Sequence, residues 1–460
     1  MTDLADLTAV ALLGAYRSRE LSPVEVAEAV LARADRLEPK LCALYDRRPD
    51  DARAAAKASE RRWTQGEARG LDGVPVTIKE NVATRGTPMP LGTAARELAA
   101  APEDAPASAR LREAGAVIVA KTTMPDYGML SSGLSSFHPL TRNPWDLSRN
   151  PGGSSAGAGA AAAAGYGPLH VGTDIGGSIR LPAGWCGVFG LKPSFGRVPV
   201  TPPYYGRVIG PMTRTVADAA LMMREMSRPD WRDGTSLPPA DLDWETLRTD
   251  PKGLRIGLHL DAGLGLPVEP EVRACIESAA RLFADAGAIV EPVAPFLTRP
   301  MLSGLDLFWR QRAWADIEPL RTAERARILP YILRWAEGGR ELTGAQVYSG
   351  MSQMGAMRDA ALAGTGAFDF VLSPVSPVVA YPATMASPID DPERPFEHIC
   401  FTVPYNFSEQ PAASVNAGYT AAGLPIGLQI AGRRFDDIGV LALSGLYETM
   451  RGPQRPWPAP

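Results

Sequence analysis

Two serine clusters, Ser154–Ser155 and Ser178, each follow a Gly-Gly pair within one stretch, GGSSAGAGAAAAAGYGPLHVGTDIGGSIR, residues 152–180. Glycine permits backbone angles closed to other residues, so a repeated GGS marks two places where a serine sits on an unusual backbone. A serine nucleophile needs a base, and histidine is the usual one. The chain has four histidines, His138, His170, His259 and His398, and no motif ties any of them to either serine. His170 lies in an apolar strand eight residues before Ser178 and reads as a core residue. Ser178 sits in GGSIR and Ser154 in GGSSA, so neither is the serine of a G-x-S-x-G elbow, and no lysine has a serine three residues before it. Walker A, HExxH and a strand–helix GxGxxG are also missing.

A Ser-Lys arrangement is what remains. The lysine must be neutral to accept a proton, so its pKa must fall from about 10.4 toward 7 or 8. That drop costs about 3–5 kcal/mol of ammonium stabilisation and needs burial or nearby dipoles. Lysine is scarce here, with six residues against 41 arginines, so each lysine in apolar sequence draws attention. Lys79 ends VPVTI, Lys121 ends VIVA, and Lys192 stands between Gly-Leu and Pro. Spacing does not choose among these three. An oxyanion site is offered by four consecutive amides, Ile175-Gly176-Gly177-Ser178, where the glycines remove side-chain obstruction. Ser154 is expected to cap a helix running from Ser155 through the alanines.

The elements that must position these residues follow an α/β pattern. Ser22-Pro23-Val24-Glu25 is a capping box that opens a helix with an apolar stripe. A second helix runs from Asp50 to about Gly66; Val74–Ile78 is a strand, 107–113 a helix and 116–120 a strand. Residues 124–151 read as a long functional loop, and 184–203 as loop again. Thr215 caps a helix to about Met226, 228–253 is a polar surface crossing, and 254–293 is a β-α-β unit. Residues 301–363 are mainly helical, and strands at 368–372, 413–417 and 425–430 precede a closing helix, 438–450. No internal repeat or abrupt compositional boundary divides the chain, which reads as one large α/β domain.

Composition bounds the function. With 460 residues, 45% hydrophobic and 21% charged, the chain can bury a large core. A net charge of −4 gives no electrostatic footprint for nucleic acid. Four scattered cysteines form no CxxC pair, which argues against a zinc ribbon or disulfide framework and fits a reducing cytoplasm. The sequence has no secretory signal pattern and no 18-residue apolar run, so neither export nor a membrane span is predicted.

Taken together, GGSSAG (152–157) and GTDIGGSIRLPAGWCGVFGLKPSFGRVP (172–199) resemble the amidase signature family of serine amidohydrolases. The resemblance extends to GVPVTIKENV (73–82), KTTMPDYG (121–128), NPWDLSRNPGG (143–153), DFVLSPVSP (369–377) and QPAASVNAGYTAAGLPIGLQIAGRRFDD (410–437). It is weakest over about 228–365, a variable, largely helical region; the signature core spans about 70–215. The resemblance implies an α/β fold with a central mixed, twisted sheet covered by helices on both faces, in a single amidase domain, 1–460. It also implies Ser178 as nucleophile, Ser154 as relay after a cis peptide bond, and Lys79 as base. Ile175, Gly176 and Gly177, with the amide of Ser178, would be oxyanion donors. Ser155, Asp174 and Arg180 would support the triad, and Gly128, Leu130, Ser131 and Ser132 would contact substrate.

No metal or other cofactor is implied. The partner is a small-molecule amide, with no nucleic acid or membrane, and room for a homodimer or a small partner subunit. The chemistry expected is hydrolysis of an amide to the acid plus ammonia or an amine through a Ser178 acyl-enzyme. Rival expectations are the amidase subunit of a glutamine-dependent tRNA amidotransferase or other multi-subunit amidase, an esterase, a Cys186 nucleophile, and a non-catalytic binding protein on the same fold. Ser408-Glu409 replaces a small Thr-Gly pair near where the pocket should close. Trp309, Trp314, Trp335, Tyr331 and Tyr348 read mainly as core.

Overall fold

Residues 3–460 are described by the computed structural model, and an eleven-stranded sheet runs through them. In chain order the strands are β1 (Leu44–Tyr45), β2 (Pro75–Lys79), β3 (Val117–Thr122), β4 (Leu169–Asp174), β5 (Phe189–Lys192) and β6 (Val208–Thr213). They continue with β7 (Arg255–Leu258), β8 (Ile289–Pro292), β9 (Phe370–Pro374), β10 (Ala412–Tyr419) and β11 (Pro425–Gly432). Their order across the sheet is β1-β3-β2-β4-β6-β5-β10-β11-β9-β7-β8. β2 runs parallel to β3 and β4, and β7 to β8 and β9; the pairs between β4 and β9 are antiparallel. The sheet is therefore mixed, as expected.

Strand alternation sends side chains to two cores. Val76, Ile78, Leu169, Val171, Phe370, Leu372, Leu428 and Ile430 join the largest one, packed by helices Val216–Met226, Pro270–Asp285 and Asp437–Met450. On the other face Met212 packs with Ala158, Ala162, Ala163 and Ile179. The helix Ala156–Ala164 is fully buried, and its small residues let backbones approach. A Cβ at Gly157 would collide with the Ala43 carbonyl and the Thr123 amide, closer than any side chain allows. Helices Arg299–Ile317, Pro330–Glu337 and Gly344–Thr365 build a separate apolar cluster around Trp309, Trp314 and Trp335.

Most predicted elements are present, including the Ser22–Glu25 capping box on helix Pro23–Leu41. The stretch 184–203 departs from expectation. It holds the end of helix Arg180–Cys186 and strand β5. The helix closes on Gly187 in the left-handed region, and glycine-containing β5 is too short to show a period. No helix among the described residues is long and apolar enough to cross a membrane.

Candidate active site

Parallel pairing aligns the C-terminal ends of β2 and β4, with Ile78 opposite Val171. Lys79 ends β2 and Asp174 ends β4, so both arrive at one edge of the sheet, where open α/β sheets place their ligands. Lys79 is fully buried. Its Nζ lies 2.8 Å from Ser154 Oγ, 3.0 Å from Ser155 Oγ and 2.9 Å from Thr173 Oγ1. Burial, then the nearby Arg207 guanidinium, pushes the Lys79 pKa well below the ordinary lysine value, against weaker opposing effects of Asp174 and Glu80.

The peptide bond Gly153–Ser154 is cis. Ser155, not Ser154, occupies the N-cap position, and it makes no side-chain cap bond. Its hydroxyl is taken by Thr173 instead: Ser155 Oγ donates to the Thr173 carbonyl (3.1 Å) and accepts from the Thr173 amide (3.2 Å). The second serine turn is tied to the first by the Ser155 amide, which donates to the Ser178 carbonyl at 3.2 Å.

The turn itself is built on Asp174. Oδ1 accepts from the Gly177 amide (2.8 Å), Oδ2 from the Ile179 amide (3.1 Å), and Arg180 donates to both oxygens. Opposing charge and these hydrogen bonds outweigh burial and hold the Asp174 carboxyl far below the carboxylate range. Arg180, also fully buried, donates onward to the Thr402 carbonyl, Gln429 Oε1 and Asn406 Oδ1. Thr402 Oγ1 closes the ring by donating to the Gly176 carbonyl at 2.7 Å. Gly177 has φ +131°, and a Cβ there would collide with Thr402 Oγ1 at 2.6 Å. This differs from the expected oxyanion set. The Gly177 amide is committed to Asp174, while those of Ile175, Gly176 and Ser178 bond no other group among the described residues.

Ser178 is half-buried and opens on two hollows. A cavity of about 480 Å³ is lined by Ser154, Ser178, Thr173, Ile175, Gly128 and Tyr127, with Arg96, Arg207, Arg312 and Asp316 farther along. That volume suits a small organic ligand. The second hollow, about 30 Å³, is apolar and meets Gly128, Leu130, Ser131, Gly176 and Trp309. Ser154 and Ser178 share the larger cavity without a hydrogen bond between their hydroxyls.

The remaining sequence candidates separate cleanly. Gly128, Leu130 and Ser131 line a hollow, but Ser132 lines neither. It is fully buried, bonded to the Met385 carbonyl and Asn150 Nδ2, because its turn must pack beneath Gly153. Lys121 is held by the Val82 carbonyl and Thr84 Oγ1, and Lys192 by the Pro193 carbonyl (2.8 Å). Burial lowers both pKa values to about 7, yet neither lysine touches a serine of the site. His170 is a satisfied core residue between Thr77 Oγ1 and the Gly167 carbonyl. Cys186 is buried, with its thiol pushed up by burial. Ser408 is buried and Glu409 pairs with Arg434, so neither closes the pocket. Trp309 packs in the core and also lines the smaller hollow; Tyr348 is exposed.

Sequence reasoning missed Thr173, Asn81, Arg207, Thr402, Asn406 and Gln429. Thr173 carried a readable signal, as a hydroxyl at the end of a buried strand beside Asp174. Asn81 lies only two residues after Lys79, in a segment already singled out, whereas Arg207, Thr402, Asn406 and Gln429 come from distant segments with no local mark.

The family model described as Amidase matches residues 25–441. The chain belongs to the amidase signature family. It is 35% identical to a glutamyl-tRNA(Gln) amidotransferase subunit from Chloroflexus aurantiacus, over 98% of both chains. It is 34% identical to an acylamidase of Rhodococcus erythropolis, over 98% of this chain and 96% of that one. A bacterial aryl acylamidase of the same family superimposes with a TM-score of 0.89 at 32% identity, over 96% of each chain. The amidase signature fold and amidohydrolase class follow from these matches.

Proposed function

We propose that this amidohydrolase cleaves a carboxylic acid amide through an acyl-enzyme on Ser178, with Ser154 as relay and Lys79 as base. The hydrogen bonding of Lys79 carries this reading. A neutral amine has two N–H groups and one lone pair, and Nζ meets three hydroxyls. Ser155 already donates to the Thr173 carbonyl, so it accepts from Lys79. Thr173 Oγ1 accepts a second N–H, with Asn81 beside it for its own proton. Ser154, whose hydroxyl has no partner but Lys79 among the described residues, is the one left to donate to the lone pair. Charged Lys79 would instead spend three N–H groups and hold no proton-accepting site.

In the reaction Ser178 attacks the amide carbon while its proton passes to Ser154 and the Ser154 proton to Lys79. The tetrahedral oxyanion is met by the amides of Ile175, Gly176 and Ser178. Such donors typically contribute about 3–4 kcal/mol each. The C–N bond breaks as the proton returns along the relay to the leaving nitrogen. Water then attacks the ester, its proton travels the same path, and Ser178 leaves protonated with the acid released. The Ser178–Ser154 contact is one that substrate binding tightens, as is common for catalytic hydrogen bonds. The chain works as one amidase domain, a reading supported by the continuous sheet and the length of the family match.

The test is labelling of Ser178 by a fluorophosphonate together with hydrolysis of an amide panel. Labelling lost in Ser178→Ala is expected; labelling that survives the substitution overturns the assignment. Hydrolysis insensitive to thiol reagents is expected as well, since Cys186 is buried. The second reading is the amidase subunit of a multi-subunit amidotransferase, favoured by the likeness to the Chloroflexus protein. Co-purification of a small partner from native extract with glutamine as the preferred amide would establish it over a free-standing acylamidase.

A further inference from the structure

The larger cavity carries more positive charge than the proposed proton relay uses: Arg207 helps to depress the Lys79 pKa, but Arg96 and Arg312 have no part in it. Arg96, Arg207 and Arg312 line it, all half-buried, and none has a carboxylate within ion-pair reach among the described residues. The other arginine of the site differs: Arg180 is locked to Asp174. Arg207 donates to the Asn81 carbonyl at 3.2 Å, Arg312 lies over the Tyr204 ring at 4.3 Å, and Arg96 over the Tyr127 ring at 5.8 Å. These contacts orient the guanidinium groups without neutralising them. Burial, and then repulsion from nearby Arg312, lowers the Arg207 pKa to about 10, still charged at neutral pH. Against the three cations stands Asp316, exposed at the rim; the other lining carboxylate, Asp174, is already paired.

Two neighbouring, partly desolvated cations facing a cavity are unfavourable until an anion enters. Guanidinium presents a fork of N–H donors that matches a carboxylate. A pocket lined by one sign also concentrates the opposite ion. Asn81 links Arg207 to the reacting centre, since its side chain bonds Thr173 Oγ1 beside Lys79.

We infer that the substrate is an anionic amide, carrying a carboxylate remote from the scissile bond that Arg312 and Arg207 receive. This rests on the Ser178 acyl-enzyme reading above. Products of such a reaction are dicarboxylic acids or amino acids, so the class of reaction supplying the substrate is half-amidation of a diacid, hydrolysis of one end of a diamide, or hydration of the nitrile of a cyano acid.

The experiment is protection of Ser178 from fluorophosphonate labelling by the dicarboxylates from succinate to suberate, each against the neutral diamide of equal length. In the wild-type enzyme the best dicarboxylate should protect at least about tenfold more strongly than its diamide, with the advantage shrinking as salt rises. Arg312→Ala should weaken dicarboxylate protection about tenfold or more, and Arg312→Lys should restore part of it. A matched monoamide and its methyl ester then report kcat/KM, and the carboxylate form should lead by a similar factor that falls in Arg312→Ala. Equal protection by diamides, or an unchanged dicarboxylate response in Arg312→Ala, overturns the anionic substrate while leaving the acyl-enzyme intact. Labelling that does not depend on Ser178 overturns both.

Discussion

The two walls of the cavity are built on opposite principles. Behind one, where Ser154, Thr173 and Asp174 face the cavity, Lys79, Ser155, Thr173, Asp174 and Arg180 are buried and their polar atoms are bonded to one another. On the other, loop and helix residues Arg207, Arg312 and Asp316 reach into open space without mutual pairing. The first wall comes from strand ends and the turns between them, the second from a cis-proline loop and the helix Arg299–Ile317. The difference separates two demands. Proton transfer needs a fixed amine in a dry setting, whereas recognition needs unsatisfied groups that a ligand completes.

Substitution of Lys79 tests the contrast most severely. Lys79→Ala should lower kcat at least about 1,000-fold while the fold persists, read by amide hydrolysis and circular dichroism. Lys121→Met removes an equally buried lysine outside the site and should leave the rate of the folded enzyme nearly unchanged, since Lys121 touches no serine of the site. If the two variants lost rate equally, the first wall would be structural only.

Arg180→Ala strands the Asp174 carboxylate in the interior. A loss of about 3–5 kcal/mol is expected by urea denaturation, with the Ser178 turn disordered. Smaller is Thr173→Val, which takes one hydroxyl from Lys79. A drop of about ten- to a hundredfold in kcat is expected, with KM little moved, if Lys79 acts as the proposed base.

The smallest effect concerns pH. Lys192 has a pKa near 7 when folded and about 10.5 unfolded, so between these values the unfolded chain binds more protons. Its burial cost is complete at and below about pH 7 and fades as pH rises toward 10.5. Lys192→Met should therefore gain most relative to wild type near neutral pH and progressively less above it, measured by denaturation across that window. The Lys79 pKa is depressed too, so kcat/KM should be lost as pH falls through it and be flat above.

Much was legible in the chain. Strand periodicity located β2, β4 and β9 to within a few residues, since buried strands are written in apolar runs. The paired GGS motifs marked both serine turns, because only glycine tolerates the backbone at Gly177. Helix Arg180–Cys186 was hidden by Pro182 and Gly184, and the Ser155 cap by a hydroxyl that tertiary contacts drew away.

What the sequence by itself determined was the set of candidates: two serines on glycine turns, few histidines, and three lysines in apolar segments. Which lysine lies against the serines, and which amides of the second turn are left without a partner among the described residues, only the tertiary structure shows. Local propensity can place a lysine at a strand end, but the depression of its pKa depends on burial and on the Arg207 guanidinium, both supplied by the packing of distant segments. The accumulation of three arginines, from residues 96, 207 and 312, that have no ion pair among the described residues is likewise a product of long-range packing. In a chain with 41 arginines, none of the three could be told from a surface charge until the fold brought them together.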